Sequence, residues 1–212
     1  IISLLLSVNS GIHKQDVEGK TTLMFAIMAE NIVAVKELLL QGVNMNAINR
    51  NGRTALMQAL LCNKKASIAI LSEAITPEHV NIQDAEGKTA LMFAVEKDCV
   101  ATVSALIYSQ ANVSITDKLG RTALHYLGCQ KHISREIRNR RRNIAVMLVH
   151  YGADPWMKCH NMKTVWDRIP PLLQDVLLRA WIRIWTKVHS DQLMMQLRNH
   201  DTDAWRSVLT FL

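Results

Sequence analysis

"GKTTLMFAI" occupies residues 19–27 and "GKTALMFAV" occupies residues 87–95. The same frame returns as "GRTALMQAL" at 52–60 and as "GRTALHYLG" at 120–128. Near-copies at a regular spacing have to be settled before any other question about the fold, because a fixed period specifies an array of like units. Aligned on the threonine after the glycine, the restarts are Thr21, Thr54, Thr89, Thr122 and, more divergent, Thr164. The intervals between them are 33, 35, 33 and 42 residues.

Each restart carries the same local physics. Asp16, Asn49, Asp84 and Asp117 stand three residues before a glycine. Such a D-x-x-G stretch is a turn, since Asp or Asn bonds its own backbone and Gly accepts positive φ. The following Thr is a natural N-cap for a short helix such as "ALMFAVEK". Asn31, Asn63 and Asp98 fall where that helix should stop, in residue types that visit the left-handed region readily. A second helix follows, with Ile32, Val35, Leu38 and Leu39 at helical spacing and Gly42 closing it. One turn–helix–loop–helix unit cannot bury its own apolar face, so the units must stack.

Composition agrees with this plan. Of the 212 residues, 49% are apolar and only 5% aromatic, so the core is aliphatic. Cys62, Cys99, Cys129 and Cys159 lie far apart with no CxxC pair. That argues against a zinc ribbon and for thiols that are buried or kept reduced in an intracellular protein. The opening "IISLLLSVNS" lacks a basic leader and is too short to span a bilayer, and no other stretch approaches the roughly 18–20 apolar residues of a span. The expectation is a soluble protein of the cytoplasm, the nucleus or both. The first residue is not Met, which is consistent with a piece of a longer chain. Lys and Arg exceed Asp and Glu by 25 to 18, a net charge of +7 that favours acidic partners without naming one.

A period near 33 with G-[KR]-T-x-L at its start resembles the ankyrin repeat, whose consensus opens D-x-x-G-x-T-P-L-H. The closings "LLLQGVNMNAIN" at 38–49 and "MLVHYGADPW" at 147–156 are similar to that family's L-L-x-x-G-A-D-x-N. The resemblance covers residues 1 to about 168: a partial repeat at 1–15, then repeats starting near 16, 49, 84, 117 and 159. It implies an all-α solenoid, followed by a C-terminal helical cap or docking segment at 169–212. Several positions depart from the family. Thr22, Ala55, Ala90 and Ala123 replace the Pro after Thr. Met24, Met57 and Met92 replace the His after Leu, which only His125 keeps. Met162 stands where the fifth repeat should have Gly, as in a terminal repeat modified to meet a cap.

Two segments do not repeat. The long interval adds nine residues to the fourth repeat, and Ile133, Ile137, Ile144, Met147 and Leu148 keep helical spacing through it. Ser134 with Glu136 favours a helix start there, and the second helix should be extended by about two turns of 3.6 residues. Arg135, Arg138, Arg140, Arg141 and Arg142 are expected to project from the stack. They read as a solvated face, as a docking surface for an acidic protein, or as a nuclear-import or nucleic-acid patch. The last has no aromatic platform nearby.

In residues 169–212, "IPPLLQDVLLRAWIRIWTKV" places Leu173, Val176, Leu177, Ala180, Trp181, Ile184 and Val188 on one face after a Pro-Pro start. "DQLMMQLRN" and "DAWRSVLTF" read as two shorter helices beyond it. An end cap over the last apolar face is the simple reading. The alternative is a docking helix faintly similar to an F-box or SOCS box, which would make the chain a substrate receptor of a ubiquitin ligase. Leu172 stands where an F-box has an acidic residue, and the cysteine of a SOCS box is absent.

Chemistry has little to rest on. His125, Cys129 and His132 share i, i+4, i+7 spacing, but two histidines and one thiol are one ligand short of a structural zinc site. No third group orients a thiol–imidazole pair. The repeated G-K-T lacks the glycine spacing of a phosphate-binding loop. No catalytic, cofactor or metal site is assigned.

The resemblance instead implies recognition of another protein, through finger tips and first helices lining a concave face. Carried over residue by residue, it selects Val17, Glu18, Lys20, Arg50, Asn51, Arg53, Ala85, Glu86, Lys88, Lys118, Leu119 and Arg121 on the fingers. Met28, Leu61, Glu96, Lys97, Cys129 and Gln130 come from the first helices. Arg50, Arg53, Lys88, Lys118 and Arg121 would form a basic stripe. Trp156, in the finger after Asp154-Pro155, is either a partner contact or a residue packed on the cap.

Overall fold

The structure, a computed structural model, describes residue 12 and residues 14–77, 80–128, 134–167, 169 and 171–188. Among the described residues there are eight α-helices, with finger turns between successive pairs. In chain order they are α1 Thr22–Met28, α2 Ile32–Leu40, α3 Ala55–Leu61, α4 Lys65–Glu73, α5 Ala90–Glu96, α6 Val100–Tyr108, α7 Arg135–His150 and α8 Pro171–Val188. A 3₁₀ turn, Ala123–Gly128, stands where the first helix of the fourth repeat was expected to be α-helical. Among the described residues no strand forms; Gln15–Thr21 and Gln83–Thr89 make isolated antiparallel bridges at the finger bases.

The threonines do the capping that their position predicts. The hydroxyls of Thr21, Thr54 and Thr89 accept from the N–H groups of Met24, Met57 and Met92 at 3.3, 3.4 and 3.4 Å. At the fourth restart the Thr122 N–H donates to His125 Nδ1 at 3.1 Å, both residues being buried. The helix-ending residue differs from expectation in the first repeat. Glu30, not Asn31, takes positive φ (53°), while Asn31 caps α2 by accepting from the Ala34 N–H at 3.1 Å. Asn63 and Asp98 hold the left-handed position in the next two repeats.

Stacking is aliphatic throughout. Leu23, Met24, Ile27, Val35 and Leu38 begin a continuous core that runs through Met57, Leu60, Leu91, Met92, Val103 and Leu106 to Ile144 and Leu148. Burial of such side chains, at about 25 cal/mol per Å² of apolar surface, is what holds neighbouring repeats together. Leu173 and Leu177 continue that core, and α8 packs on α7. The two shorter helices expected beyond Val188, and most of the partial repeat at 1–15, lie outside the described residues.

The insertion is a longer helix. α7 has 16 residues against nine in each of α2, α4 and α6, which is about two extra turns. Ser134 caps it, accepting from the Ile137 N–H at 3.3 Å, with Glu136 in the first turn. Ile133 lies outside the described residues.

Candidate partner-binding surface

The finger tips are built by one carboxylate or amide per repeat. Asp16 Oδ1 accepts from the N–H groups of Glu18 and Lys20, and Asn49 Oδ1 from those of Asn51 and Arg53. Asp84 Oδ1 takes Glu86 and Lys88, and Asp117 Oδ1 takes Leu119 and Arg121. Fingers so shaped are then tied to each other by backbone bonds. Arg50 N–H donates to Glu18 C=O at 2.9 Å, Ala85 to Asn51 at 2.8 Å, Lys118 to Glu86 at 3.0 Å and His160 to Leu119 at 2.9 Å. The ladder puts equivalent tip residues in register, one per repeat. Val17, 80% exposed, and Leu119, 51% exposed, are apolar tips on this row, and Arg50, Asn51, Glu86 and Lys118 are exposed beside them.

The expected basic stripe divides into two kinds of residue. Arg53, Lys88 and Arg121 are mostly covered and work within the stack. Arg53 Nε meets the buried Asp84 of the next repeat at 3.3 Å. Lys88 Nζ lies 3.2 Å from Glu96 and over the rings of Phe93 and Tyr126, at 5.2 and 4.9 Å from their centroids. Arg121 pairs with Asp117 at 2.7 Å and donates to the Tyr126 hydroxyl at 2.9 Å. Only Arg50 and Lys118 of the five are exposed. On the first helices Met28 and Leu61 are exposed, and Glu96 and Lys97 are half-buried. Cys129 and Gln130 lie outside the described residues, as does His132, so the His–Cys–His grouping is not described.

Tyr126, Asp117 and Arg121 form a closed network, with the Tyr126 hydroxyl donating to Asp117 Oδ2 at 2.7 Å. Burial pushes the Asp117 carboxyl up, but the Tyr126 hydroxyl and the Arg121 donors outweigh it and hold the carboxyl below its ordinary value. Burial, then the bond to Asp117, pushes the Tyr126 phenol above its ordinary value. The signs give two limbs. The Asp117 contribution is complete above its unfolded value of about 3.9 and fades as pH falls through the lower folded one. The Tyr126 contribution is complete below about pH 10 and fades as pH rises toward the higher folded value. Tyr126→Phe should therefore cost about 1–3 kcal/mol near neutrality, by depriving a buried carboxylate of a donor. It should also make the decline above about pH 10 shallower. Urea melts from pH 7 to 11 check this; an alkaline decline as steep as the parent's would contradict it.

The inserted helix corrects one expectation outright. Arg141 does not project: it is 0% exposed. Its Nε and Nη2 donate to the two carboxylate oxygens of Asp98 at 2.7 and 3.2 Å, and Nη1 donates to Leu127 C=O at 2.8 Å. The physical reason lies in the helical period. Arg141 is on the face of Ile144 and Leu148, so its side chain enters the stack and must find a buried partner. Arg135, Arg138, Arg140 and Arg142 are exposed, Arg140 bonding Glu136 one turn back.

Trp156 is half-buried and packs against two other indoles. Its ring centroid lies 5.1 Å from that of Trp166 and 6.3 Å from that of Trp181 on α8, the second pair edge-on. Sequence reasoning on Trp156 did not include Trp166, because only the fold brings the three indoles together. Cys62 is exposed, Cys99 half-buried and Cys159 buried. Burial pushes the Cys99 thiol up.

These repeats, capped by Thr and tied finger to finger, match the description "Ankyrin repeats (3 copies)" over residues 1–79 and 62–159. The chain belongs to the ankyrin-repeat family. Ankyrin repeats are a general protein–protein interaction module. Neurogenic locus notch homolog protein 1 of Homo sapiens and of Mus musculus is 26% identical to it over 165 residues, 77% of the chain. The chain spans only 6% of the length of those relatives. Among solved structures, an ankyrin repeat domain from Acinetobacter baumannii superposes with a TM-score of 0.69 at 27% identity, covering 84% of this chain and 92% of that one. The ankyrin repeat domain of Bcl-3, a member of the IkappaB protein family, superposes at 0.62 with 23% identity, over 82% of this chain and 74% of that one. Among the described residues, no helix is long and apolar enough to cross a membrane.

Proposed function

We propose that the chain is a non-enzymatic adaptor or scaffold that binds a partner protein through its row of finger tips, with the basic inserted helix beside it. The observation that carries this reading is the backbone ladder from Glu18 to His160, which holds exposed tips in register while their own turns satisfy the local polar groups. A repeating surface whose turns are bonded internally and to one another suits recognition: ordering it costs little when the partner arrives. Arg50, Lys118 and Leu119 are the tips expected to matter most, being exposed and either charged or apolar. Arg53, Lys88 and Arg121 would act by holding the surface in shape.

The test is capture from native lysate on the immobilised chain, with mass spectrometry of what is retained. A triple variant, Arg50→Glu, Lys118→Glu and Leu119→Asp, should keep its helical circular dichroism and lose at least fivefold of the principal captured protein. Equal capture by the folded variant would refute the finger-tip reading.

A further inference from the structure

α7 and α8 leave between them an open groove of about 530 Å³. Two rails of guanidinium groups border it. Arg138 and Arg142 stand one turn apart on α7, and Arg179 and Arg183 one turn apart on α8. Among the described residues of the lining Asp175 is the only carboxylate, set against four arginines, so the described groove carries a net positive charge. Its floor is apolar: Val146, 40% exposed, with the half-buried Val176 and Ala180. α7 is tied to the stack by Arg141, whose guanidinium is bonded to Asp98 and to Leu127 C=O. The rails therefore sit on a fixed support.

We propose that this groove is a docking site for an acidic amphipathic helix of a partner protein, a reading that rests on the chain being a protein-binding module. The chemistry of the groove selects that occupant. An amphipathic helix presents an apolar stripe with polar residues along both edges, and carboxylates at those edges meet two guanidinium rails while the stripe covers the floor. Arginine at i, i+4 receives carboxylates spaced by one helical turn, in charge-assisted and often bidentate bonds. A polyanion without apolar groups would leave Val146, Val176 and Ala180 uncovered. A nucleic acid would find no Phe, Tyr or Trp in the lining on which to stack a base. The insertion thus supplies Arg138 and completes the α7 rail, since Arg142 stands at the first position of an ordinary nine-residue second helix and Arg138 lies in the added turns.

The experiment titrates the full chain with a fluorescein-labelled synthetic 18-residue peptide, Leu at i, i+3, i+4 and i+7 positions and Glu along both edges. A scrambled peptide of the same composition and a single-stranded oligonucleotide of the same charge serve as comparisons. The expected result is saturable binding, at least tenfold weaker for the scrambled peptide and weakened by added salt. Arg138→Gln with Arg142→Gln should weaken it at least tenfold, and Arg179→Gln with Arg183→Gln likewise. If the α8 variant unfolds on heating earlier than the parent, the α7 pair, which is exposed, decides alone. The triple finger-tip variant should bind the peptide unchanged. Binding lost in the finger-tip variant but kept in the α7 variant overturns the groove and leaves the finger-tip reading standing. Equal binding of the scrambled peptide, tighter binding of the oligonucleotide, or no binding, including exclusion by residues 189–212, each overturns it.

Discussion

Arg141→Ala should lower the unfolding free energy by about 3–5 kcal/mol, the usual effect of breaking a buried ion pair by removing one partner. For a chain of this size the melting temperature falls roughly 2–4 °C for each kcal/mol lost. Three bonds disappear together: two to the Asp98 carboxylate and one to Leu127 C=O. Asp98 is only 7% exposed, so its charge would stay buried with no guanidinium to meet it. The pair also joins the third repeat to the inserted helix, so its loss should loosen α7 before α1 to α5. By contrast, reversing Arg138, Arg140 and Arg142 together to Glu should shift stability by less than about 1 kcal/mol. Those side chains are exposed, and the Arg140–Glu136 pair on one helix contributes only about 0.2–0.5 kcal/mol. Thermal melts of the two variants separate the cases. A double variant, Asp98→Asn with Arg141→Met, should recover part of the loss, since the buried charge goes with its partner and Asn still accepts the positive φ of that position. If Arg141→Ala melts within a degree or two of the parent, the buried pair does not hold the insertion.

Why Arg141 escaped a sequence reading is instructive. Ile137, Arg141, Ile144 and Leu148 follow one another at steps of four, three and four, which is the buried stripe of a helix. The signal was present, but a run of arginines reads as one solvated block unless each is placed on the helical wheel. Its partner is another matter: Asp98 lies 43 residues earlier and is brought across by stacking alone. The same division runs through the molecule. The frame of repeats, the Thr caps and the two added turns of α7 follow from local spacing, because a cap or a turn is decided within a few residues. Glu30 could have been found by counting, since it stands nine residues after its Thr, as Asn63 and Asp98 do after theirs. Which basic fingers are covered follows in part from position, since Arg53, Lys88 and Arg121 each stand directly before their Thr, and Arg50 and Lys118 four residues before it. The partners across repeats do not: Asp84 reaches Arg53, and Tyr126 reaches Lys88, only through stacking.

Gly87→Val should cost about 2–5 kcal/mol, from two separable causes. Gly87 has φ +77°, a region that costs an L-residue about 1–2 kcal/mol and suits a β-branched one least. A Cβ there would also lie 2.9 Å from the Lys118 backbone nitrogen and 3.1 Å from Asp117 Cα. Backbone at that distance cannot swing aside as a side chain would, and overpacking of this kind adds about 1–3 kcal/mol. The nitrogen concerned is the one that donates to Glu86 C=O, so relief of the clash breaks a rung of the finger ladder. Gly42 isolates the first cause. Its φ is +70° but nothing lies within 4 Å of a built Cβ, so Gly42→Ala should cost only about 1 kcal/mol, strain offset in part by a stiffer unfolded chain. Met162 is the natural counterpart, a non-glycine at the same place in the last finger with φ 57° and 69% exposure. An exposed position has no following finger pressed on its Cβ, so only the backbone strain is left, and Met162→Gly should raise stability by at most about 1 kcal/mol. Urea denaturation of the three variants gives the order: strong loss at Gly87, slight loss at Gly42, slight gain at Met162. Should Gly87→Val and Gly42→Ala prove equally costly, the glycine is needed for its φ alone and the fingers do not bear on one another.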